Sequence, residues 1–361
     1  MKKLWKQVSV ISVIVVLVLI ATWYGEGPVV SAQQGGRVVY VGIGGATQDA
    51  LRKALFEPFQ SQSGIQVVED TGLTQERLQA EVQSGRPTID FTTTASRVYA
   101  TLLANNLLAP IDYKYYDPSD LKAMPESARQ KYGVNSIFVG LTWAFSKAAF
   151  PDGKPQPQSW ADFWDVKKFP GKRTLPYCDV IEGGWPLPEA ALLADGVPRD
   201  KLYPLDIPRA IKKLKELSPN VIWWRNTSQP GQYLATQEAV MGMDSSGRLN
   251  AMIDKGAPLQ IVWNGGRVEG DMWVVLRGTQ NLDNVMRFLA FAGSPKPQAE
   301  LARLIGYAPS NPRAYEYLEA SAAKKLPTFP DNLNQTVLKD DGWWIPNRTK
   351  WLESCMDAIV R

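Results

Sequence analysis

The chain has 361 residues, 45% of them hydrophobic and 21% charged, with 28 Gly, 26 Pro and a formal net charge of +4. Those values describe an ordered, turn-rich globular protein long enough for two lobes. It contains no histidine, which removes the commonest metal ligand, the usual general base and every triad built on imidazole. Thirteen Trp and thirteen Tyr fit either packed aromatic layers or a cleft walled with rings, and composition leaves both open.

The N-terminus reads as an export signal: basic MKKLWKQ, apolar VSVISVIVVLVLIA, then small residues in VVSA before Gln33. The apolar run is shorter than the roughly 20 residues of a bilayer span. This predicts a signal peptide over residues 1–32, cleaved near Ala32, with an uncleaved anchor as the alternative. Both place the body outside the cytoplasm, and the cleaved form in the periplasm. Cleavage removes Lys2, Lys3, Lys6 and Glu26 and leaves a nearly neutral body. No basic run interleaved with aromatics survives, which argues against a nucleic-acid partner. Export permits a disulfide between Cys178 and Cys355. With no pattern around either cysteine, their pairing stays open.

GRVVYVGIGG is a compact β-run ending in two glycines, and TQDALRKALFEPFQSQSG follows with helical spacing that puts Ala50, Leu51, Ala54, Leu55 and Phe59 on one face. IQVVED is a strand, TQERLQAEVQSG a helix, TIDFTTT a strand and SRVYATLLANNLL a helix. This alternation indicates an α/β lobe with crossover helices. NSIFVGLTWAFSK is a long β-run, and SWADFWDVKKFPGKRTL gives a short helix and a strand. In IPRAIKKLKELSP the inner helical face is Ile211, Leu214 and Leu217. EAVMGMDSSGRLNAMIDKGAPLQIVWN reads strand, turn, helix, strand; GDMWVVLRG is a further strand; NLDNVMRFLAFAGS, PQAELARLIG and the tail GWWIPNRTKWLESCMDAIV are helical.

If SIFVGLTWAFS and MWVVLRG both pass between lobes, residues 142–271 form a second lobe inserted into a first made of 33–141 and 272–320, with a helical tail, 321–361, packing back on both. Asp271 then faces the gap between lobes, where α/β folds collect ligands.

Several segments carry a family resemblance: ALFEPFQSQSGIQV, LLAPID, SWADFWDVKKFPGK, EAVMGMDSSGRLNAMIDKGAPLQIVW, IGYAPSNPRA and DDGWWIPNRTKWLE, in that order. With them the chain resembles the periplasmic solute-binding proteins of ABC importers, in the branch of the spermidine/putrescine receptors. The resemblance implies a two-lobed α/β, type II periplasmic-binding fold, each lobe a mixed sheet flanked by helices. It also implies one small solute in the cleft, a membrane permease as partner, a monomer and no cofactor. In the polyamine receptors a carboxylate before the second crossover strand holds an ammonium, and Asp271 matches it; Tyr307 matches a cleft Tyr. The chain departs from them at Ser245, where they carry an aromatic, and at Ser96 and Arg97, where they carry a second. Its Gly-rich first loop, GIGGATQD, is more similar to relatives that bind 4-aminobutyrate and opine-type solutes.

Within that frame, Gly45, Ala46 and Thr47 of the first loop precede a helix and can bring backbone N–H groups to a ligand; an ordinary βα turn is the alternative. Arg97 suits a carboxylate through two parallel hydrogen bonds, and Arg248 has the same chemistry. Asp271 and Asp244 offer negative charge to an amine, and Trp273, Tyr177 and Trp185 offer rings. On a strand, Trp273 points to the same side as Asp271. Trp343 and Trp344 read as core packing. The expected solute is a small organic amine, a polyamine or a zwitterion. Two alternatives are a ferric-iron receptor, for which YKYY at 113–116 offers tyrosines, and an exported enzyme, for which no nucleophile motif appears.

Overall fold

The computed structural model describes residues 36–359, apart from side-chain detail at positions 97, 182 and 183. The signal-peptide expectation for residues 1–32 lies outside the described residues. Among the described residues, no helix is long and apolar enough to cross a membrane.

Eleven strands build the sheet: β1 Arg37–Val41, β2 Gln66–Asp70, β3 Phe91–Ala95, β4 Arg129–Gln130, β5 Gly133–Ser146, β6 Arg173–Pro176, β7 Val221–Trp224, β8 Met241–Ser245, β9 Leu259–Val275, β10 Ala308–Pro309 and β11 Val337–Leu338. The main order is β2-β1-β3-β9-β5-β8-β6-β7. On one side β1 pairs in parallel with β2 and β3, and on the other β6 pairs in parallel with β7 and β8. These are the βαβ crossovers that the alternating pattern predicts. Between them, β5 and β9 run antiparallel along almost their whole length, with register shifts at Asn135/Ile137 and Leu141/Trp143. Their ends divide: β9 pairs with β3 at residues 271–275, and β5 pairs with β8 at 141–145. Two long strands thus join the two halves of an α/β fold.

Period-two alternation accounts for the core on the β1–β3 side. Trp273 and Val275 join Val38, Tyr40, Phe91 and Phe288 in one cluster, while Met272 and Val274 join Val41 and Leu78 in another. A third cluster on the β6–β8 side takes Trp143, Trp160, Phe163, Trp185, Trp224 and the helix Ile207–Leu217. That helix starts at Asp206, whose carboxylate accepts from the Arg209 N–H, a cap worth about 1 kcal/mol. It buries Leu214 and Leu217, with Ile211 at the cluster's margin.

The tail helix Asp341–Ile359 adds Trp344, Trp351 and Cys355 to the third cluster. Cys355 is disulfide-bonded to Cys178 with Cα atoms 5.8 Å apart, which closes the pairing left open above. Among the described residues most tryptophans are buried, and Trp143, Trp224, Trp273 and Trp351 wholly so.

Candidate functional site

A cavity of about 680 Å³ lies where the two halves meet, along β3, β5, β8 and β9. Strand ends aim its polar wall. Thr93, Thr94 and Ala95 end β3, and Ser96 opens the helix Ser96–Ala104; Ser245 ends β8; Glu269 and Asp271 alternate along β9 on the same face. The second crossover begins far earlier than MWVVLRG, because β9 is continuous from Leu259 through the polar stretch at 264–271.

Asp271 lines the cavity, opposite Ala95 on one side and Ile137 on the other. Tyr307 lines it too, its hydroxyl 3.4 Å from Ser245 Oγ. Ser96, Ser245 and Thr47 complete the group of sequence candidates brought together there. Tyr40, at the floor, bonds to Thr93 Oγ1 at 3.0 Å, and burial pushes its phenol up to about 12, so it stays neutral. Arg97 is the second residue of its helix, and its side chain lies outside the described residues.

The other candidates sit elsewhere. Gly45 and Ala46 are exposed and off the cavity wall, and the Gly44 N–H is already taken by Gln48 Oε1 at 3.0 Å. Trp273 is core: its ring packs against Tyr40 at 6.0 Å and Phe288 at 5.5 Å. It shares the strand face of Asp271, but two residues further along β9, about 7 Å, it lies beneath Tyr40 rather than beside a ligand. Tyr177 is buried next to the disulfide, with the Arg225 guanidinium 3.6 Å over its ring. Asp244 is 1% exposed and accepts from Arg248 Nε and the Ser245 N–H. Burial raises its pKa despite the guanidinium. It supports Arg248, which lines the cavity, instead of meeting a solute itself. This pair at i and i+4 was visible in the spacing of Asp244 and Arg248.

Three features escaped the sequence. Lys339 reaches the cavity from the tail, donating to Ser96 Oγ at 2.7 Å and pairing with Asp341 at 2.9 Å. Trp344 lines the cavity and is not core packing alone; its indole N–H donates to Glu189 Oε1 at 2.8 Å. Arg267, wholly buried on β9, pairs with Glu189 at 3.0 Å and with Glu269 at 2.7 Å, and so fixes the carboxylate of a lining residue.

The tyrosines offered for iron are elsewhere. The Tyr113 hydroxyl donates to the Gln130 and Gly133 carbonyls, and Tyr116 is in the core. Among the described residues, no cluster of three or more acidic or Cys side chains could hold a metal.

Residues 54–331 match the family described as bacterial extracellular solute-binding protein. The chain belongs to this family. Among curated relatives, the gamma-aminobutyric acid-binding protein of Pseudomonas aeruginosa is 33% identical over 315 residues, covering 84% of this chain and 86% of that protein. Among solved structures, an ABC transporter substrate-binding protein from Bradyrhizobium japonicum USDA 110 superposes with a TM-score of 0.80 at 33% identity, covering 91% of this chain and all of that one. A binding protein from Agrobacterium tumefaciens R10 in complex with agropinic acid superposes with a TM-score of 0.72 at 32% identity, covering 90% and 99%. The extracellular solute-binding proteins it resembles have the type II periplasmic fold, and the cavity lies where that fold places its ligand cleft.

Proposed function

We propose that this chain is the solute-capturing component of an ABC importer, working in the periplasm, and that it takes a small zwitterion of the 4-aminobutyrate or opine kind. The observation that carries the reading is the mixed charge of one cavity: Asp271 and Glu269 on β9, Arg248 held by buried Asp244, and Lys339 from the tail. An ammonium at Asp271 gains a charge-assisted bond of about 1.5–3 kcal/mol once water is excluded. A carboxylate at Arg248 gains a bond of the same class. A polyamine finds its acid at Asp271 but also meets Arg248, Lys339 and Arg348, so it is the poorer fit. Support also comes from relatives named for gamma-aminobutyric acid and agropinic acid.

Residues of β5 and β9 near 139–141 and 267–269 are the hinge in this reading; because Asp271 pairs with Ala95 of β3, the inserted lobe ends near 266 and not at 271, with 36–138 and 270–320 on the other side. Closure over the solute creates the form that a permease recognises. Calorimetry of the exported protein against 4-aminobutyrate, an opine, putrescine and spermidine tests the reading, with X-ray scattering on the same samples. One-to-one binding of a zwitterion with compaction, and recovery of the solute unchanged, is the expected result. Tighter binding of putrescine, or turnover of the solute, contradicts it.

A further inference from the structure

The family match ends at residue 331, yet Lys339, Trp344, Ile345 and Arg348 beyond it line the cavity. This tail is built in. Leu338 pairs with Val268 on β9, and the Lys339 N–H donates to the Val268 carbonyl at 3.1 Å. Trp344 is tied to Glu189 and Tyr203. The Cys178–Cys355 bond holds the far part of the helix beside the segment that carries Ile181, Gly184 and Trp185, themselves cavity residues.

Lys339 stands out within it. Its side chain is 7% exposed, and its ammonium is held by Ser96 Oγ at 2.7 Å and Asp341 Oδ1 at 2.9 Å, with Glu269 at 4.0 Å. An ammonium has three donors; one goes to Ser96 Oγ, and Asp341 and Glu269 meet it as ion pairs. Arg248, the other cation named above, is mounted separately on the helix Ser246–Asp254 by Asp244. Arg248 and Lys339, held by independent supports in a cavity of about 680 Å³ that Arg348 also lines, large enough for a drug-sized ligand, form two stations for negative charge. A solute with one carboxylate fills only one of them.

Resting on the zwitterion reading, we propose that Lys339 is a solute-contact residue that sets specificity, and that the preferred solute is an amine bearing two carboxylates. Asp271 receives the amine, Arg248 one carboxylate and the ammonium of Lys339 the other. The C-terminal segment therefore selects the solute class as well as completing the fold.

The test is calorimetry with an N-carboxyalkyl amino acid and with 4-aminobutyrate, on the wild type, Lys339→Met and Lys339→Arg, with melting curves for each. The wild type is expected to bind the dicarboxylate at least tenfold more tightly. Lys339→Met should weaken the dicarboxylate tenfold or more and 4-aminobutyrate less than threefold, and Lys339→Arg should restore most of the difference. A purely structural lysine would lower the melting temperature and weaken both solutes alike, which overturns the proposal. A wild type that prefers 4-aminobutyrate also overturns it, while leaving the zwitterion reading in place. Binding of neither solute removes both.

Discussion

Asp244 in β8 and Arg248 in the first turn of the following helix stand four residues apart, the carboxylate 1% exposed and its Oδ1 2.6 Å from the guanidinium, which reaches the cavity. Burial wins over the guanidinium and raises the Asp244 pKa, so the folded state holds this proton more tightly than the unfolded chain. The associated stability is complete below the unfolded value near 3.9 and is lost as pH rises through the raised folded value. Above that range Asp244 is a cost to the fold, retained for the arginine it holds. Asp244→Asn should melt no lower than the wild type at pH 7, yet bind a carboxylate-bearing solute about tenfold more weakly, by the loss of about 1.4 kcal/mol. Melting curves with calorimetry check both halves of the statement.

Glu189 and Arg267 form a buried ion pair, each side chain at most 1% exposed. Removing one partner leaves the other charged and unpaired, at a cost of about 3–5 kcal/mol. Glu189 also accepts from Tyr203 and Trp344. Arg267→Met should lower the urea midpoint accordingly, and should also disturb Glu269, which loses its partner. An unchanged midpoint would show that water enters the site.

Gly247 has no room for a side chain. A Cβ there would meet Tyr307 Cε1 at 2.6 Å and the Ile305 carbonyl oxygen at 2.9 Å. Alanine is the better helix former by up to about 1 kcal/mol, but the carbonyl is backbone and yields little. Gly247→Ala should destabilise by about 1–3 kcal/mol and shift Tyr307 off Ser245, weakening solute binding. Calorimetry and thermal melts on this variant decide between the helix term and the clash.

The Cys178–Cys355 bond closes 177 residues of sequence. A cross-link over so long a loop contributes about 2–5 kcal/mol, chiefly by restricting the unfolded chain. Replacing both cysteines with Ser should lower stability by that amount in urea titrations, and reductant should shift the wild type but not the double variant.

Much of the fold was legible because its signals are local. From Arg37 to Ala104, β-runs and helical faces alternate cleanly, and parity alone separates Trp273 from Val274. What parity cannot supply is depth, so Trp273 was placed on the right face and too near the ligand. Other features depend on partners remote in sequence. β9 read as two strands because a polar stretch around Arg267 interrupts it, and the arginine is neutralised there by Glu269 and by Glu189, 78 positions away. Val221–Trp224 carries no polar alternation, so it passed unread as a strand. Lys339 follows a two-residue strand, and its role rests on Ser96, 243 positions away. Asp244 was misassigned because its burial is a tertiary fact, although its spacing to Arg248 was open to view.

The central claim is that Asp271 takes the amine of a zwitterion in this cavity. Titration calorimetry of wild type and Asp271→Asn with 4-aminobutyrate and its N-acetyl derivative tests it most directly. The account predicts that the amine-bearing solute binds the wild type, that the acetylated one does not, and that the Asn variant loses tenfold or more. Equal binding of both compounds, or an Asn variant as tight as the wild type, would contradict it.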